Sequence, residues 1–197
     1  MNTPLHRASY NGHIDAMQLL VERGADIHKK NEYELTPLHN ASWSGHTAAI
    51  QLLIDLGAKV DAKDDSGETP LHYATTYRDR HINVIQLLID LGAKVDAKDD
   101  SGMTPLHNAA KYHHINVIQL LIKYGAKVNA KDDKGWTPLH MVIRYTRHNC
   151  IDIVQLLVKH GADINARTDL KVTPLSLALA EGHTDVIKLL KDHGVRK

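Results

Sequence analysis

TPLHNASWSGHTAAIQLLIDLGAKVDAKDDSGETPLH, residues 36–72, is the stretch whose reading decides the fold. Thr36 before Pro37 reads as a helix N-cap with proline at N1, where a missing amide hydrogen costs nothing, so TPLH opens a helix. A second helix follows, with apolar residues at the spacing of one buried face; the copy I-x-V-I-Q-L-L-I at residues 82–89 shows the same pattern. Gly57 supplies the left-handed residue that stops it. The next ten residues, AKVDAKDDSG, are rich in Asp, Ser and Gly and read as a turn that joins one unit to the next. One unit is therefore a helix, a tight turn, a second helix and a turn-rich connector.

The unit recurs along the whole chain. TPLH stands at Thr3–His6, Thr36–His39, Thr69–His72, Thr104–His107 and Thr137–His140, with a sixth copy, TPLS, at Thr173–Ser176. A second mark, Leu-Leu-x-x-x-Gly, ends at Gly24, Gly57, Gly92, Gly125, Gly161 and Gly194. The first series steps by 33, 33, 35, 33 and 36 residues, and the second takes the same steps in a slightly different order. A lone unit of this kind cannot bury its apolar face, so neighbours must stack into a continuous core. The expected architecture is an all-α repeat solenoid of six stacked helix-turn-helix units with short β-hairpin or turn connectors. It forms one domain over residues 1–197, with units at about 1–26, 27–59, 60–94, 95–127, 128–163 and 164–197.

This pattern resembles the ankyrin repeat family, whose signature carries TPLHxA, then Gly-His before the second helix, then LLxxGA. The resemblance covers essentially residues 3–194. It implies an L-shaped unit with projecting hairpin fingers and a concave groove used for protein recognition. Two departures matter. The third unit is two residues longer than most and the fifth three longer, with the extra residues near Tyr77–Arg80 and Tyr145–Asn149, between the two helices. Gly-His is intact at Gly12-His13, Gly45-His46 and Gly182-His183, but the third to fifth units read Arg80-His81, His113-His114 and Asn149-Cys150. Residues 50–67 and 85–102 are identical, which suggests a young natural array or a constructed one. The first unit has no preceding hairpin, so the chain is expected to start inside a longer array, and its polar finish suits a natural C-terminal end.

Composition narrows the function. Lysine and arginine number 24 against 23 acidic residues, a net of +1, so no nucleic-acid partner is expected, since such a surface would need a clear basic excess. A single cysteine, Cys150, excludes an internal disulfide and fits an intracellular, cytoplasmic setting. No secretory signal and no run of roughly 20 apolar residues is present, so a soluble chain without membrane insertion is expected.

Fifteen histidines invite a metal or catalytic reading, but ten fall at repeat positions. The TPLH histidines should sit at N3 and hydrogen-bond between adjacent units. The one local cluster, His148-Asn149-Cys150 near His140, lacks the spacing of a zinc site. Cys150 stands at a repeat histidine's place and reads as a packed thiol. The pairs Asp64-Asp65, Asp99-Asp100 and Asp132-Asp133 recur with the scaffold and read as Asx turns rather than as a general acid and base. No phosphate loop, nucleophile elbow or HExxH motif occurs, so neither enzyme activity nor a cofactor is expected.

What remains is a binding surface. The resemblance implies that partners are read by hairpin tips and by the exposed face of the first helix. Placed on this sequence, those positions give Tyr33, Leu35, Glu68, Met103, Lys134 and Trp136 on the tips, and Trp43, Tyr77, Lys111, Tyr112, Arg144 and Tyr145 on the helices. Tyrosines and tryptophans in a chain without phenylalanine suit contact more than core filling, although Trp43 and Trp136 could instead pack on a neighbouring unit. The expected function is a protein-interaction scaffold, monomeric alone, with a protein partner. The alternatives are the targeting module of a larger enzyme or effector, or an engineered scaffold.

Overall fold

The computed structural model describes residues 1–76, 81–146 and 150–194, which form two compact halves, Met1–Asp100 and Ser101–Lys197. The first half holds α1 (Pro4–Asn11), α2 (Ile14–Glu22), α3 (Pro37–Ser44), α4 (Thr47–Asp55), α5 (Pro70–Thr76) and α6 (Ile82–Asp90). The second holds α7 (Pro105–Lys111), α8 (Ile115–Lys123), α9 (Pro138–Tyr145), α10 (Ile151–Lys159), α11 (Pro174–Glu181) and α12 (Thr184–Asp192). No strand occurs among the described residues. Within the first half α1 packs on α3 and α3 on α5; within the second α7 packs on α9 and α9 on α11. The result is the expected solenoid of stacked helix pairs.

Helix starts follow from local chemistry. Thr3, Thr36, Thr104, Thr137 and Thr173 are N-caps in extended conformation with proline at N1. The residue at N3 closes a capping box, and in four of these helices it is histidine rather than the usual Glu or Gln. The amide of Thr36 donates to His39 Nδ1 at 3.1 Å, and the Thr104 amide does the same to His107. An Nδ1 that accepts must be unprotonated, so the ring's hydrogen sits on Nε2. That Nε2–H donates across to the connector of the next unit. His6 reaches the Leu35 carbonyl at 2.8 Å, His39 that of Glu68 at 3.2 Å, His107 that of Trp136 at 3.1 Å and His140 that of Val172 at 3.2 Å. All four rings are buried, so each bond satisfies polar groups that would otherwise be stranded in the core.

The remaining core is aliphatic. Leu38, Leu71, Leu106 and Leu139, two residues after each threonine, are buried with Leu53, Leu88, Leu121 and Leu157 from the second helices. Small residues such as Ala41, Ala74 and Ala109 on the first helices let neighbouring helices approach closely. No described helix is long and apolar enough to cross a membrane.

The connectors are tight turns closed by short-range backbone bonds, without the ladder that would make a strand pair. Asp64 N–H donates to the Glu68 carbonyl at 3.1 Å, and Asp132 N–H to that of Trp136 at 2.9 Å. The first acid of each pair organises its turn from within. Asp64 Oδ1 accepts from the amides of Ser66 and Glu68, and Asp132 Oδ1 from those of Lys134 and Trp136, the Asx turns expected. The second acid docks its amide on the preceding tip. Asp65 N–H meets the Tyr33 carbonyl and Asp100 that of Ser66, while in the second half Asp133 meets Ser101 and Asp169 meets Lys134.

Gly67 shows why the turn wants glycine: its φ is +74° and an added Cβ would lie 2.2 Å from Asp100 Oδ1. Yet Glu34 and Lys171 fill the matching positions of other units with φ of 56° and 60°, and His113 replaces a helix-ending glycine at 59°. The turn that opens the sixth unit, with Lys171 in the glycine position, closes like the others, with Thr168 N–H on the Val172 carbonyl at 3.1 Å. Tertiary bonds outweigh the local steric cost there. The lengthened inter-helix turns fall around residues 77–80 and 147–149, which lie outside the described residues.

Two predictions follow from these interactions. Burial pushes the His39 imidazole down from 6.5 to about 4, against a weaker upward pull from the Glu68 carbonyl, and burial also lowers His6 and His140. A depressed imidazole pKa favours the neutral form in the folded state, so the stabilisation is complete above the unfolded value and is lost as pH falls through the folded one. Urea unfolding should therefore show a flat free energy above pH 6.5 and a decline toward pH 4, with a loss on the order of 3 kcal/mol from His39 alone. Replacing Lys171 by glycine should stabilise the chain by a few tenths to about 1 kcal/mol, read as a raised urea midpoint.

Candidate partner-binding surface

In the first half, the first helices carry an aromatic row, Tyr10 and Trp43 near their C-terminal ends and Tyr73 in the middle of α5. The Tyr10 and Trp43 rings meet edge to face at 6.1 Å, and Trp43 meets Tyr73 at 6.2 Å. Tyr73 is fixed in turn by its hydroxyl, which donates to Asp64 Oδ2 at 2.8 Å, and by an edge contact with His39. Tyr10 remains 46% exposed, and Trp43 is half-buried between the two tyrosines. Trp43 thus packs on neighbouring units and still presents part of its ring. A cleft of about 280 Å³ opens between this row and the first finger, where Tyr33 is 59% exposed.

Leu35, placed on a tip by the sequence, is a core residue. Only 7% of it is exposed, because its carbonyl accepts the His6 bond and its amide donates to Asn31 Oδ1 at the base of the turn. Glu68 is half-buried, and its backbone serves the Asp64 turn and the His39 bond. Tyr77 lies outside the described residues.

In the second half, the Lys111 ammonium lies 5.5 Å from the Tyr112 ring centroid and 5.4 Å from that of Tyr145. Such cation–π contacts hold a flexible lysine in place without hiding its charge. Tyr112 and Tyr145 are about half exposed, and Tyr112 also stacks on His114. Arg144 pairs with Glu181. Lys134 is exposed on its fingertip, whereas Met103 and Trp136 are half-buried. Trp136 sets its ring edge against His140 at 5.7 Å, so part of it serves the scaffold.

Arg7 and Asn40 are among the cleft residues that the sequence reading does not pick out. Each stands three residues before a row aromatic, Tyr10 or Trp43, and so on the same helix face; that spacing was the signal.

The titratable groups with shifted pKa values are tied to structure. The N3 histidines are neutral and doubly bonded, with no proton to exchange at a surface. His13, His46, His81, His114 and His183 each precede a second helix, as expected. The His46 ring packs so near Gly12 that a Cβ there would lie 2.6 Å away, and His183 Nε2 donates to the Ile143 carbonyl at 3.2 Å. Cys150 takes the same place before α10; it is buried, and burial pushes its thiol up. Among the described residues no group of three or more His, Cys, Asp or Glu could hold a metal ion; His148 and Asn149 lie outside them.

Stacked two-helix units, stapled by a TPLH histidine and linked by a tight finger, define a class of helical-repeat protein. The family model described as "Ankyrin repeats (3 copies)" matches residues 5–99 and 81–168, and the chain belongs to the ankyrin repeat family. Repeats of this family generally mediate protein–protein interaction and are generally non-catalytic. Two curated proteins named ankyrin repeat domain-containing protein 49, from Bos taurus and Homo sapiens, are each 62% identical over 26 residues. That match spans 13% of this chain and 11% of theirs.

Cys150 should behave as a packed thiol. With a disulfide reagent at neutral pH the folded chain should react at least roughly tenfold more slowly than the urea-unfolded chain. Equal rates would show an accessible thiol.

Proposed function

We propose that this chain binds a protein partner, without catalysis, through its fingertips and the exposed ends of its first helices. The observation that carries the reading is where the amphipathic residues stand. Seven and eight residues after the repeat threonines come Tyr10, Trp43, Lys111, Tyr112, Arg144 and Tyr145, all exposed or half-exposed, while the neighbouring positions of the same helices are filled with small or aliphatic core. Tyrosine and tryptophan bring large contact area at modest entropic cost, arginine brings a planar set of donors, and all three concentrate at interface hot spots. Lys111, clamped between two tyrosines, adds a charge whose position is set before the partner arrives. The contact set proposed is Tyr33, Trp43, Glu68, Met103, Lys111, Tyr112, Lys134, Trp136, Arg144 and Tyr145. A near-neutral chain of net charge +1 favours a protein over a nucleic acid as the occupant.

Tyr33→Ala, Tyr112→Ala and Tyr145→Ala together should weaken binding of the captured partner by roughly tenfold or more in a calorimetric titration. All three side chains are exposed, so the unfolding midpoint should hold. Unchanged affinity would remove these faces from the interface.

A further inference from the structure

We infer that the cleft between the first finger and helices α1 and α3 takes an extended acidic segment of the partner, in which one large apolar side chain is followed by a carboxylate. This rests on the reading above that fingertips and first helices bind a protein, and it adds the chemistry of what they bind.

Size comes first. At about 280 Å³ the cleft falls just below the range of about 300–1,000 Å³ typical of small-molecule sites, which suits one side chain better than a cofactor. Its walls are Tyr10, Tyr33 and Trp43. The Trp43 ring is held edge-on by Tyr10 on one side and Tyr73 on the other, so little freedom is left to lose when an apolar group docks. Asn40 is 4% exposed and commits its amide N–H to the His6 carbonyl at 3.3 Å. Its side-chain carbonyl remains as an acceptor on the cleft wall for the amide of an extended chain.

Charge then selects between segments. The cleft contains one acid and one base, Glu32 and Arg7. Glu32 pairs with the Met1 ammonium at 3.3 Å, whereas the Arg7 guanidinium has no ion-pair partner among the described residues. Covering an unpaired guanidinium with a neutral or basic chain would strip its water without return, while a carboxylate offers a bidentate pair. Complementarity therefore favours an acidic residue next to the docked side chain. Arg7 stands one helical turn before Tyr10, so ring and charge address neighbouring positions of one segment.

The test uses the whole chain and two capped hexapeptides, identical except at one position. One reads glycine, serine, phenylalanine, glutamate, serine, glycine; the other has lysine in place of glutamate. The Trp43 indole N–H resonance should move saturably with the glutamate peptide, which should bind roughly threefold or more tightly than the lysine peptide at low salt. Arg7→Gln should erase that preference while leaving the unfolding midpoint unchanged, since Arg7 is exposed. Equal or tighter binding of the lysine peptide overturns the inference, as does saturation without movement of Trp43 or a preference that survives Arg7→Gln. If the peptides fail while the triple tyrosine variant still loses the captured partner, the segment chemistry is wrong and the binding reading stands. If the triple variant also keeps full affinity, both fall.

Discussion

A buried imidazole bonded in two directions, as at His6, His39, His107 and His140, is the constraint on which the scaffold depends. Nδ1 accepts from the threonine that caps its own helix, which forces the hydrogen onto Nε2, and Nε2 then has one place to donate: a connector carbonyl in the next unit. Local capping and inter-unit stacking are thus made by a single ring in a single tautomer. Glutamate at N3 would cap as well but has no second hydrogen to offer across the junction. Where the sixth unit has Ser176, the hydroxyl caps its own helix and bonds back to the Thr173 carbonyl, and the bridge is absent.

That arrangement separates residues the scaffold consumes from residues it leaves. The backbone of Glu68 and Trp136, the side chains of Asp64 and Asp132, and Leu5, Leu38, Leu71, Leu106 and Leu139 are all taken up by turns, bridges or core. The termini of the first helices are not. Capping and core packing make their demands on the opening turn and inner face of those helices, so the last exposed turn is open to Tyr10, Trp43, Lys111 or Arg144 without cost to stacking. Hence the aromatic row of the first half and the lysine–tyrosine cluster of the second can differ wholly in chemistry on the same frame.

The fold was legible because its determinants are local and repeated. Threonine before proline, glycine after the Leu-Leu pair and aspartate in the connector each act within a few residues, so a sequence reading recovers helix starts, stops and turns. Glu34, His113 and Lys171 went unread in part because a left-handed backbone there is imposed by bonds from elsewhere rather than by the residue itself. The site was harder. Tyr33, Tyr112 and Tyr145 could be placed by repeat position, but Leu35 sits one residue from exposed finger residues and is buried, since its backbone is needed by His6. Arg7 and Asn40 carry no motif beyond their three-residue spacing to Tyr10 and Trp43; they matter because folding brings a finger against that helix face.

The backbone docking of one fingertip on the next has a consequence for how such a surface can change. Asp65 on Tyr33, Asp100 on Ser66, Asp133 on Ser101 and Asp169 on Lys134 are joined through backbone amides and carbonyls. The side chains at these points hang from a rail whose pitch they do not determine. An acceptor position gives its carbonyl whatever its side chain and can be exchanged freely, whereas at the donor positions the Asp100 and Asp133 side chains pack on Gly67 and Gly102 and proline cannot stand. Within each half the array therefore acts as a ruler with interchangeable marks, on which recognition can be rewritten one mark at a time while the spacing stays fixed.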